Sequence, residues 1–232
     1  MFINGFDILW DEIDDYVADI QSIRSIDQFM FNKPVTFFCG ENGSGKSTLL
    51  EALAIKNGLN PEGGTRNYNF STYDSYSNLH KHMRLWRSRK PDWMYFLRAE
   101  SFYNVATKEM EYSGVFSERY HDQSHGQSFF SVLMKQTNKN GLYLLDEPEA
   151  ALSCQNQLAL LYLIQSCVKQ NCQFIIATHS PILLGFPGAQ ILSFDDGKVE
   201  EVDYKSTSSY QTMKLFLDRY DYFVEDIKEN EI

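Results

Sequence analysis

Residues 33 to 58 form the stretch KPVTFFCGENGSGKSTLLEALAIKNG, which carries the clearest structural pattern in the chain. Its first part, from Lys33 to Gly40, is a short β-branched and aromatic run that ends at glycine, which predicts a buried strand. Its second part carries apolar residues at helical spacing and closes with Asn57 and Gly58, a common stop signal for a helix. The stretch therefore predicts a strand, a glycine-rich loop and a helix in direct succession.

The loop between them, GENGSGKS at residues 40 to 47, fits the pattern Gly, four residues, Gly-Lys-Ser without a mismatch. Its glycines allow backbone N–H groups to close on phosphate oxygens, Lys46 adds a charge near the β and γ phosphates, and Ser47 can ligate Mg²⁺. The position between a predicted strand and a predicted helix is the context that such a loop requires. The residues expected to bind a nucleotide here are Gly40, Glu41, Asn42, Gly43, Ser44, Gly45, Lys46, Ser47 and Thr48.

Two further apolar runs end in polar residues that suit phosphate chemistry. GLYLLDEPEAAL, residues 141 to 152, predicts a buried strand followed by Asp146, which can hold Mg²⁺, and by Glu147, which can orient an attacking water. FIIATHSP, residues 174 to 181, predicts a strand that ends near His179, at the edge of a parallel sheet where ligands bind. Each pattern also has a simpler interpretation, since two acids can be solvated loop residues and a lone histidine can be a capping or packing residue.

The order of the predicted elements indicates an α/β fold. Strand and helix alternate three times, which is typical of a mostly parallel central sheet covered on both faces. We expect residues 1–232 to form one domain, with a P-loop core at about 28–58 and 141–205 and an inserted β and helical portion at about 79–140. The other segments predict strands at HMRLWRS and DWMYFLRA, a long loop at 59–78, a hairpin that turns at Gly197, and a helix from about Ser208 to Lys228.

A short polar stretch, SHGQ at residues 124 to 127, precedes SFFSVLMKQTNKNG, which predicts a helix closed by Asn140 and Gly141. Ser124 would begin this helix, whose N-terminal amides and dipole favour a phosphate group. The stretch can also be a helix N-cap with no further role.

GENGSGKST, SHGQ, LLDEPEAAL and ATHSP, in this order, resemble the Walker A, signature, Walker B with D-loop, and H-loop motifs of the ABC ATPase superfamily. The resemblance spans residues 33 to 181 and implies a P-loop NTPase fold of ABC type with a smaller antiparallel β portion and a helical signature segment. It also implies a head-to-tail pair of subunits that encloses two ATP molecules. The implied roles are MgATP binding by Lys46, Ser47 and Asp146, water activation by Glu147, and γ-phosphate sensing by His179. The signature residues implied to face the P-loop of the other subunit are Ser124, Gly126 and Gln127.

The chain departs from the pattern of transporter cassettes in two places. Where their signature reads Leu-Ser-Gly-Gly-Gln, this chain has Gln123 and His125 at the first and third positions, and His125 adds bulk where the backbone approaches closely. Where their Q-loop has a glutamine, this chain reads YFLRAESFYN, in which Arg98 or Glu100 would serve near the metal. THSP and LDEPEAALS are more similar to the RecF, SMC and OLD-like group, which points to a small stand-alone ATPase.

The function that these motifs favour is hydrolysis of ATP to ADP and phosphate by a soluble, cytoplasmic protein that dimerises on ATP. It would act on a separate effector protein or on nucleic acid. One alternative is the nucleotide-binding subunit of an ABC transporter, which requires a separate transmembrane chain. Another is an ATP-dependent switch whose hydrolysis is negligible without its partner. No apolar run approaches the roughly 18 to 20 residues that span a bilayer, and the acidic start of the chain does not read as a signal peptide.

The net charge and residue composition bear on the kinds of partner that the chain can bind. The net charge of −10 at pH 7 argues against a protein that simply coats nucleic acid. The stretch HKHMRLWRSRK, residues 80 to 90, is locally basic in this acidic chain. It can contact nucleic acid or a partner protein. The favoured interpretation is an edge strand whose charges protect it from aggregation. The four cysteines, Cys39, Cys154, Cys167 and Cys172, show no metal spacing and predict buried free thiols. The candidates for an adenine contact are Phe29, Phe31 and Tyr68, although core or loop packing is the favoured interpretation of each.

Overall fold

The computed structural model describes residues 1–10, 13–65, 76–99, 137 and 140–229. Within these residues the strands are β1 (Ile3–Ile8), β2 (Gln28–Met30), β3 (Val35–Cys39), β4 (Met83–Arg87), β5 (Trp93–Arg98), β6 (Gly141–Asp146), β7 (Gln173–Ala177), β8 (Gln190–Ser193) and β9 (Glu200–Glu201). The α-helices are α1 (Gln21–Arg24), α2 (Lys46–Lys56), α3 (Leu79–His82), α4 (Cys154–Val168), α5 (Pro181–Leu184), α6 (Ser208–Asp218) and α7 (Tyr220–Glu229). Short 3₁₀ turns lie at Tyr16–Asp19, Pro148–Ala151, Asp195–Gly197 and Tyr204–Ser206.

Six strands form the main sheet in the order β5-β6-β7-β3-β8-β9. All neighbours are parallel except β8 and β9, which form the predicted hairpin. Every residue of β3, β6 and β7 is buried, as expected for parallel strands covered on both faces. The predicted α/β fold with a mostly parallel central sheet is confirmed.

A second, antiparallel sheet has the order β2-β1-β4. Neither β1 nor β2 was among the predicted strands, because Gly5 and Asp7 are residue types that strands usually disfavour. Gly5 is nevertheless required, since a Cβ there would lie 2.3 Å from the Phe29 carbonyl oxygen. Within the portion expected at 79–140, β4 joins the antiparallel sheet, whereas β5 is an edge strand of the main sheet.

Two buried glutamines connect the sheets. Gln173, at the start of β7, accepts hydrogen bonds from the N–H groups of Phe2 and Ile3 at 2.7 and 3.0 Å and donates to the Ile3 carbonyl at 2.9 Å. Gln190, at the start of β8, accepts from the N–H of Asn32 at 3.0 Å and donates to the Met30 carbonyl at 3.3 Å. Side-chain amides thus satisfy backbone groups of β1 and of the segment around β2 that no neighbouring strand could reach.

The main sheet separates two apolar layers. One face, with Phe38, Leu144 and Ile175, packs with α2 and the antiparallel sheet. The other face, with Phe37 and Leu145, packs with α4 and α5. Full burial of each such side chain stabilises the fold by about 1.5–3 kcal/mol. The two layers fix the carboxyl ends of β3, β5, β6 and β7 at one edge of the sheet.

The carboxy-terminal segment differs from its prediction. The single helix expected from Ser208 to Lys228 is two helices, α6 and α7, which meet at Arg219, where φ is −127° and ψ is 31°. Neither helix contributes a fully buried side chain. No helix in the described part of the chain is both long enough and apolar enough to cross a bilayer.

The cysteines divide into two groups. Cys39, Cys167 and Cys172 are buried free thiols, as predicted, whereas Cys154 is exposed at the start of α4. The predicted burial of Cys154 is wrong because the first turn of α4 points its side chains to solvent, beside the exposed N-cap residue Ser153.

Candidate nucleotide-binding site

The predicted glycine loop connects the end of β3 to the start of α2. Three of its glycines, Gly40, Gly43 and Gly45, have φ angles of +138°, +79° and +95°, which residues with a Cβ rarely adopt. Gly45 is also crowded, because a Cβ there would lie 2.8 Å from the side chain of Ile23 and 2.9 Å from that of Ile20. The loop therefore has the wound backbone that directs consecutive N–H groups toward one point.

Lys46 begins α2 and is only 3% exposed. Its Nζ donates to the carbonyl oxygens of Gly40 at 2.9 Å and Glu41 at 2.7 Å, so the side chain folds back over the loop. Burial lowers the pKa of Lys46, and the nearby carboxylates of Glu147, Asp195 and Asp146 oppose that shift. The ammonium group thus lies inside the loop, where a phosphate would gain a strong, poorly screened attraction.

Ser47 and Asp146 meet as the sequence predicts. The Ser47 hydroxyl donates to Asp146 Oδ1 at 2.8 Å, across the gap between α2 and the end of β6. A hydroxyl and a carboxylate are the oxygen donors that suit Mg²⁺, which usually takes one or two protein oxygens and completes its shell with phosphates and water. Among the described residues there is no group of three or more His, Cys, Asp or Glu side chains that could hold a metal ion.

Glu147 and His179 lie side by side at the ends of β6 and β7. Glu147 has a left-handed backbone (φ 48°, ψ 50°), and its N–H donates to the Ala177 carbonyl at 2.9 Å. His179 Nε2 lies 3.6 Å from Glu147 Oε1 and has no hydrogen-bond partner among the described residues. The His179 backbone N–H donates to Glu149 Oε1 at 2.5 Å, which anchors the histidine to the turn after β6. A strained carboxylate residue beside a partnerless imidazole nitrogen is an arrangement found at functional sites.

Of the two candidates for the Q-loop position, Arg98 lies beside the predicted metal ligand Asp146. It ends β5 directly beside Asp146 in the parallel register, and its Nε lies 3.6 Å from Asp146 Oδ2. Its Nη1 donates to Glu51 Oε2 on α2 at 2.6 Å. Burial raises the pKa of Glu51, and Arg98 opposes that rise. The other candidate, Glu100, lies outside the described residues, as do the predicted signature residues Ser124, His125, Gly126 and Gln127.

Two residues that support the loop were not predicted. Ser22, 3% exposed on α1, donates its hydroxyl to the Ser44 carbonyl. Asp195 accepts the Glu41 N–H at 2.9 Å from the turn between β8 and β9. Neither is close in sequence to the loop, and the sequence gives no local signal for either contact.

A cleft of about 690 Å³ adjoins the outer side of the loop. It is lined by Asp19, Ile20, Gln21, Ser22, Glu41, Asn42, Gly43, Ser44, Phe194, Asp195, Asp196, Gly197 and Ser208. The suggested adenine contacts Phe29 and Phe31 are not among these residues; they pack with Phe6 in the antiparallel sheet at centroid distances of 5.2–6.0 Å. Their alternative interpretation as packing residues is confirmed, and Tyr68 lies outside the described residues.

The basic stretch is an edge strand, as favoured above. β4 lies at the outer edge of the antiparallel sheet. Trp86, the tryptophan of this basic stretch, packs over Gly5 and donates its indole N–H to Asp7. The Trp86 ring therefore packs within the antiparallel sheet.

Comparison with known proteins finds matches to ATPase domains and ATP-binding proteins. Family models described as an AAA domain and an AAA ATPase domain match residues 18–82 and 125–184. An uncharacterized ABC transporter ATP-binding protein of Haemophilus influenzae is 28% identical over 182 residues, 67% of this chain and 68% of that protein. The cytochrome c biogenesis ATP-binding export protein CcmA of Rhizobium etli is 30% identical over 171 residues, 66% of this chain and 78% of that protein.

Among solved structures, cbiO1 from Clostridium perfringens, part of the ABC transporter complex cbiONQ, superposes with a TM-score of 0.50. The match is 16% identical and covers 97% of this chain and 100% of that chain, so it supports the fold alone. Fold, site and relatives together define a P-loop ATPase of the ATP-binding cassette type. The chain belongs to the ABC ATPase superfamily.

Proposed function

We propose that this chain binds MgATP at the loop between β3 and α2 and hydrolyses it at composite sites of a head-to-tail dimer. The observation that carries the proposal is the convergence of five predicted residues from three separate segments at one edge of the main sheet: Lys46, Ser47, Asp146, Glu147 and His179. Nothing in the packing of the core requires these polar groups to meet. Phosphoryl transfer does require them, because it depends on positioning and charge stabilisation.

Each residue has a separate task in this proposal. The loop amides and Lys46 hold the phosphates, and Ser47 with Asp146 would hold Mg²⁺, which when bound neutralises charge on the β and γ oxygens. Glu147 accepts a proton from, or orients, the attacking water, since its carboxylate is 42% exposed and faces the open side of the site. His179 Nε2 contacts the γ phosphate. The 690 Å³ cleft beside the loop takes the nucleoside.

The chain alone supplies one side of such a site. The resemblance of Ser124, Gly126 and Gln127 to the ABC signature supports a second copy as the source of the other side. Because the site is then divided between two chains, activity depends on the concentration of dimer. This dependence makes the proposal testable with purified protein.

The test is phosphate release by wild type and by Glu147→Gln over a range of protein concentrations. Specific activity of the wild type should rise with protein concentration, and Glu147→Gln should bind MgATP but lose about 10²- to 10⁴-fold in rate, the usual contribution of a general base. Glu200→Gln is the matched control, since it removes the same charge from an exposed surface pair with Lys198. A Glu147→Gln variant that retains full turnover would contradict the proposal.

A second candidate is the nucleotide-binding subunit of a membrane transporter, which the similarity to the Haemophilus and Rhizobium proteins favours. This candidate involves the same ATP hydrolysis as the first candidate and differs only in the protein that the chain works with. Co-purification of this chain with a membrane-spanning protein from detergent extracts of its own cells would support it. Stimulation of phosphate release by single-stranded or duplex DNA would support a nucleic-acid-directed ATPase instead.

A further inference from the structure

Four side chains form a continuous polar chain beside the proposed metal position. Ser47 donates to Asp146 Oδ1, Asp146 Oδ2 lies 3.6 Å from Arg98 Nε, and Arg98 Nη1 donates to Glu51 Oε2 at 2.6 Å. Ser47 and Glu51 are four residues apart and so lie one turn apart on α2. The chain therefore starts and ends on the same helix, with the ends of β5 and β6 between.

The burial of these groups makes their charges interact strongly. The side chains of Asp146, Glu51 and Arg98 are 8%, 12% and 23% exposed. One guanidinium thus serves two poorly solvated carboxylates, and screening by water is weak at such depth. Removing the charge of one of these three side chains therefore changes how strongly the other two attract each other and a bound ion.

The Arg98 guanidinium lies closer to one of the two carboxylates than to the other. Arg98 is 1.0 Å closer to Glu51, at 2.6 Å, than to Asp146, at 3.6 Å. It also donates to the Pro61 carbonyl at 3.3 Å, on the side of Glu51. Arg98 is therefore held beside Asp146 without forming the close, bidentate pair that an arginine and a carboxylate otherwise prefer.

We infer that Glu51 is a positioning residue for the metal site: it holds Arg98 away from Asp146, so that the Asp146 carboxylate remains available to Mg²⁺. This inference rests on the proposed MgATP function. It gives α2 a second task, since Ser47 contributes an oxygen to the cation and Glu51, one turn later, removes a competitor for it. A purely structural Glu51–Arg98 pair would stabilise α2 against β5 and leave the affinity for Mg²⁺ unchanged.

The two partners should have opposite effects when they are replaced. Without the carboxylate in Glu51→Gln, Arg98 moves onto Asp146 and competes with the cation, so more Mg²⁺ is needed. Without the guanidinium in Arg98→Gln, the competitor is gone and less Mg²⁺ is needed. In the double variant no guanidinium remains near Asp146, so the Mg²⁺ requirement should match that of Arg98→Gln alone. The double variant also removes both charges of the Glu51–Arg98 pair together, which protects the test against a single variant that fails to fold.

The experiment measures binding and needs no turnover. Full-length protein and a fluorescent ATP analogue, mant-ATP, are held at fixed concentrations while Mg²⁺ is titrated. We expect the half-maximal Mg²⁺ concentration to rise about tenfold in Glu51→Gln and to fall about threefold or more in Arg98→Gln, the changes expected when a buried charge next to the cation is gained or lost. The matched control is Arg87→Gln, which removes an arginine anchored to Lys56 and Asn57 at the other end of α2.

The possible outcomes distinguish failure of the positioning role of Glu51 from failure of the proposed MgATP function. A Mg²⁺ midpoint in Glu51→Gln that equals that of Arg87→Gln, or that shifts in the same direction as in Arg98→Gln, overturns the positioning role and leaves the proposed function intact. If wild type binds mant-ATP with no dependence on Mg²⁺, the positioning role is also overturned. If wild type does not bind mant-ATP at all, the proposed function fails, and the inference fails with it.

Discussion

At the scale of single residues, Gly43 and Gly45 lie two positions apart in the same loop but differ in surroundings. Both have positive φ, so alanine at either position costs about 1–2 kcal/mol of backbone strain. Gly43 has open space where a Cβ would be, whereas a Cβ on Gly45 would lie 2.8 Å from Ile23, which is fully buried. Overpacking of this kind adds about 1–3 kcal/mol. We expect Gly45→Ala to lower the free energy of unfolding by about 2–5 kcal/mol and Gly43→Ala by about 1–2 kcal/mol.

Urea unfolding of the two variants, without nucleotide, checks this prediction. Equal losses in the free energy of unfolding at both positions would mean that α1 shifts to accommodate the new methyl group and therefore does not hold the loop in place. The double variant Gly45→Ala with Ile23→Val separates the two causes, because the smaller side chain relieves crowding and leaves the strain in φ. Recovery of part of the loss would assign that part to contact with α1.

At the scale of elements, Ser180 joins α5 to α4 just after His179. Its hydroxyl oxygen accepts the N–H groups of Ile182 and Leu183 as the N-cap of α5 and donates to Gln157 Oε1 on α4 at 2.6 Å. Ser180→Ala removes a cap worth about 1 kcal/mol and leaves a buried amide oxygen with one partner fewer, at about 1–3 kcal/mol. We expect a loss of about 2–3 kcal/mol in the free energy of unfolding.

The control for Ser180→Ala is Ser153→Ala. Ser153 is the N-cap of α4 and accepts the Asn156 N–H at 3.3 Å, but it is exposed and joins no second helix. A loss of about 1 kcal/mol or less is expected there. Thermal or urea unfolding that ranks Ser153→Ala as the more damaging change would refute the proposed link between α4 and α5.

The same elements show what sequence could and could not predict. Lys46, Ser47, Asp146 and His179 were predicted to meet because each follows a buried strand or a glycine loop, and parallel strands end at one edge. Glu51 was not predicted, since its contact with Arg98 depends on how α2 lies across β5. Periodicity fixes which face of a helix is buried and leaves open which strand end it meets.

At the scale of the whole molecule, the main question is how the two sheets become one structure. No strand runs from one sheet into the other in the described residues, so apolar packing on α2 and a few polar contacts connect them. Sequence patterns cannot reveal such contacts, because a glutamine within a buried strand conflicts with the rule that strand interiors are apolar. Gln173 breaks the rule since its side chain bonds the backbone at the start of β1, which the pairing of β1 with β2 does not reach.

Gln173→Met tests this connection with a side chain of similar volume that cannot form hydrogen bonds. The N–H groups of Phe2 and Ile3 and the Ile3 carbonyl would lose their partner, and each residue is about 1% exposed, so water cannot replace it. At about 1–3 kcal/mol for each unsatisfied buried group, we expect a loss of at least about 3 kcal/mol in the free energy of unfolding. Amide hydrogen exchange should increase first in β1, before the main sheet. Gln155→Met, at an exposed position of α4, is the control and should change stability by less than about 0.5 kcal/mol. If Gln173→Met proves as stable as that control, apolar packing alone holds the sheets together and the amide is dispensable.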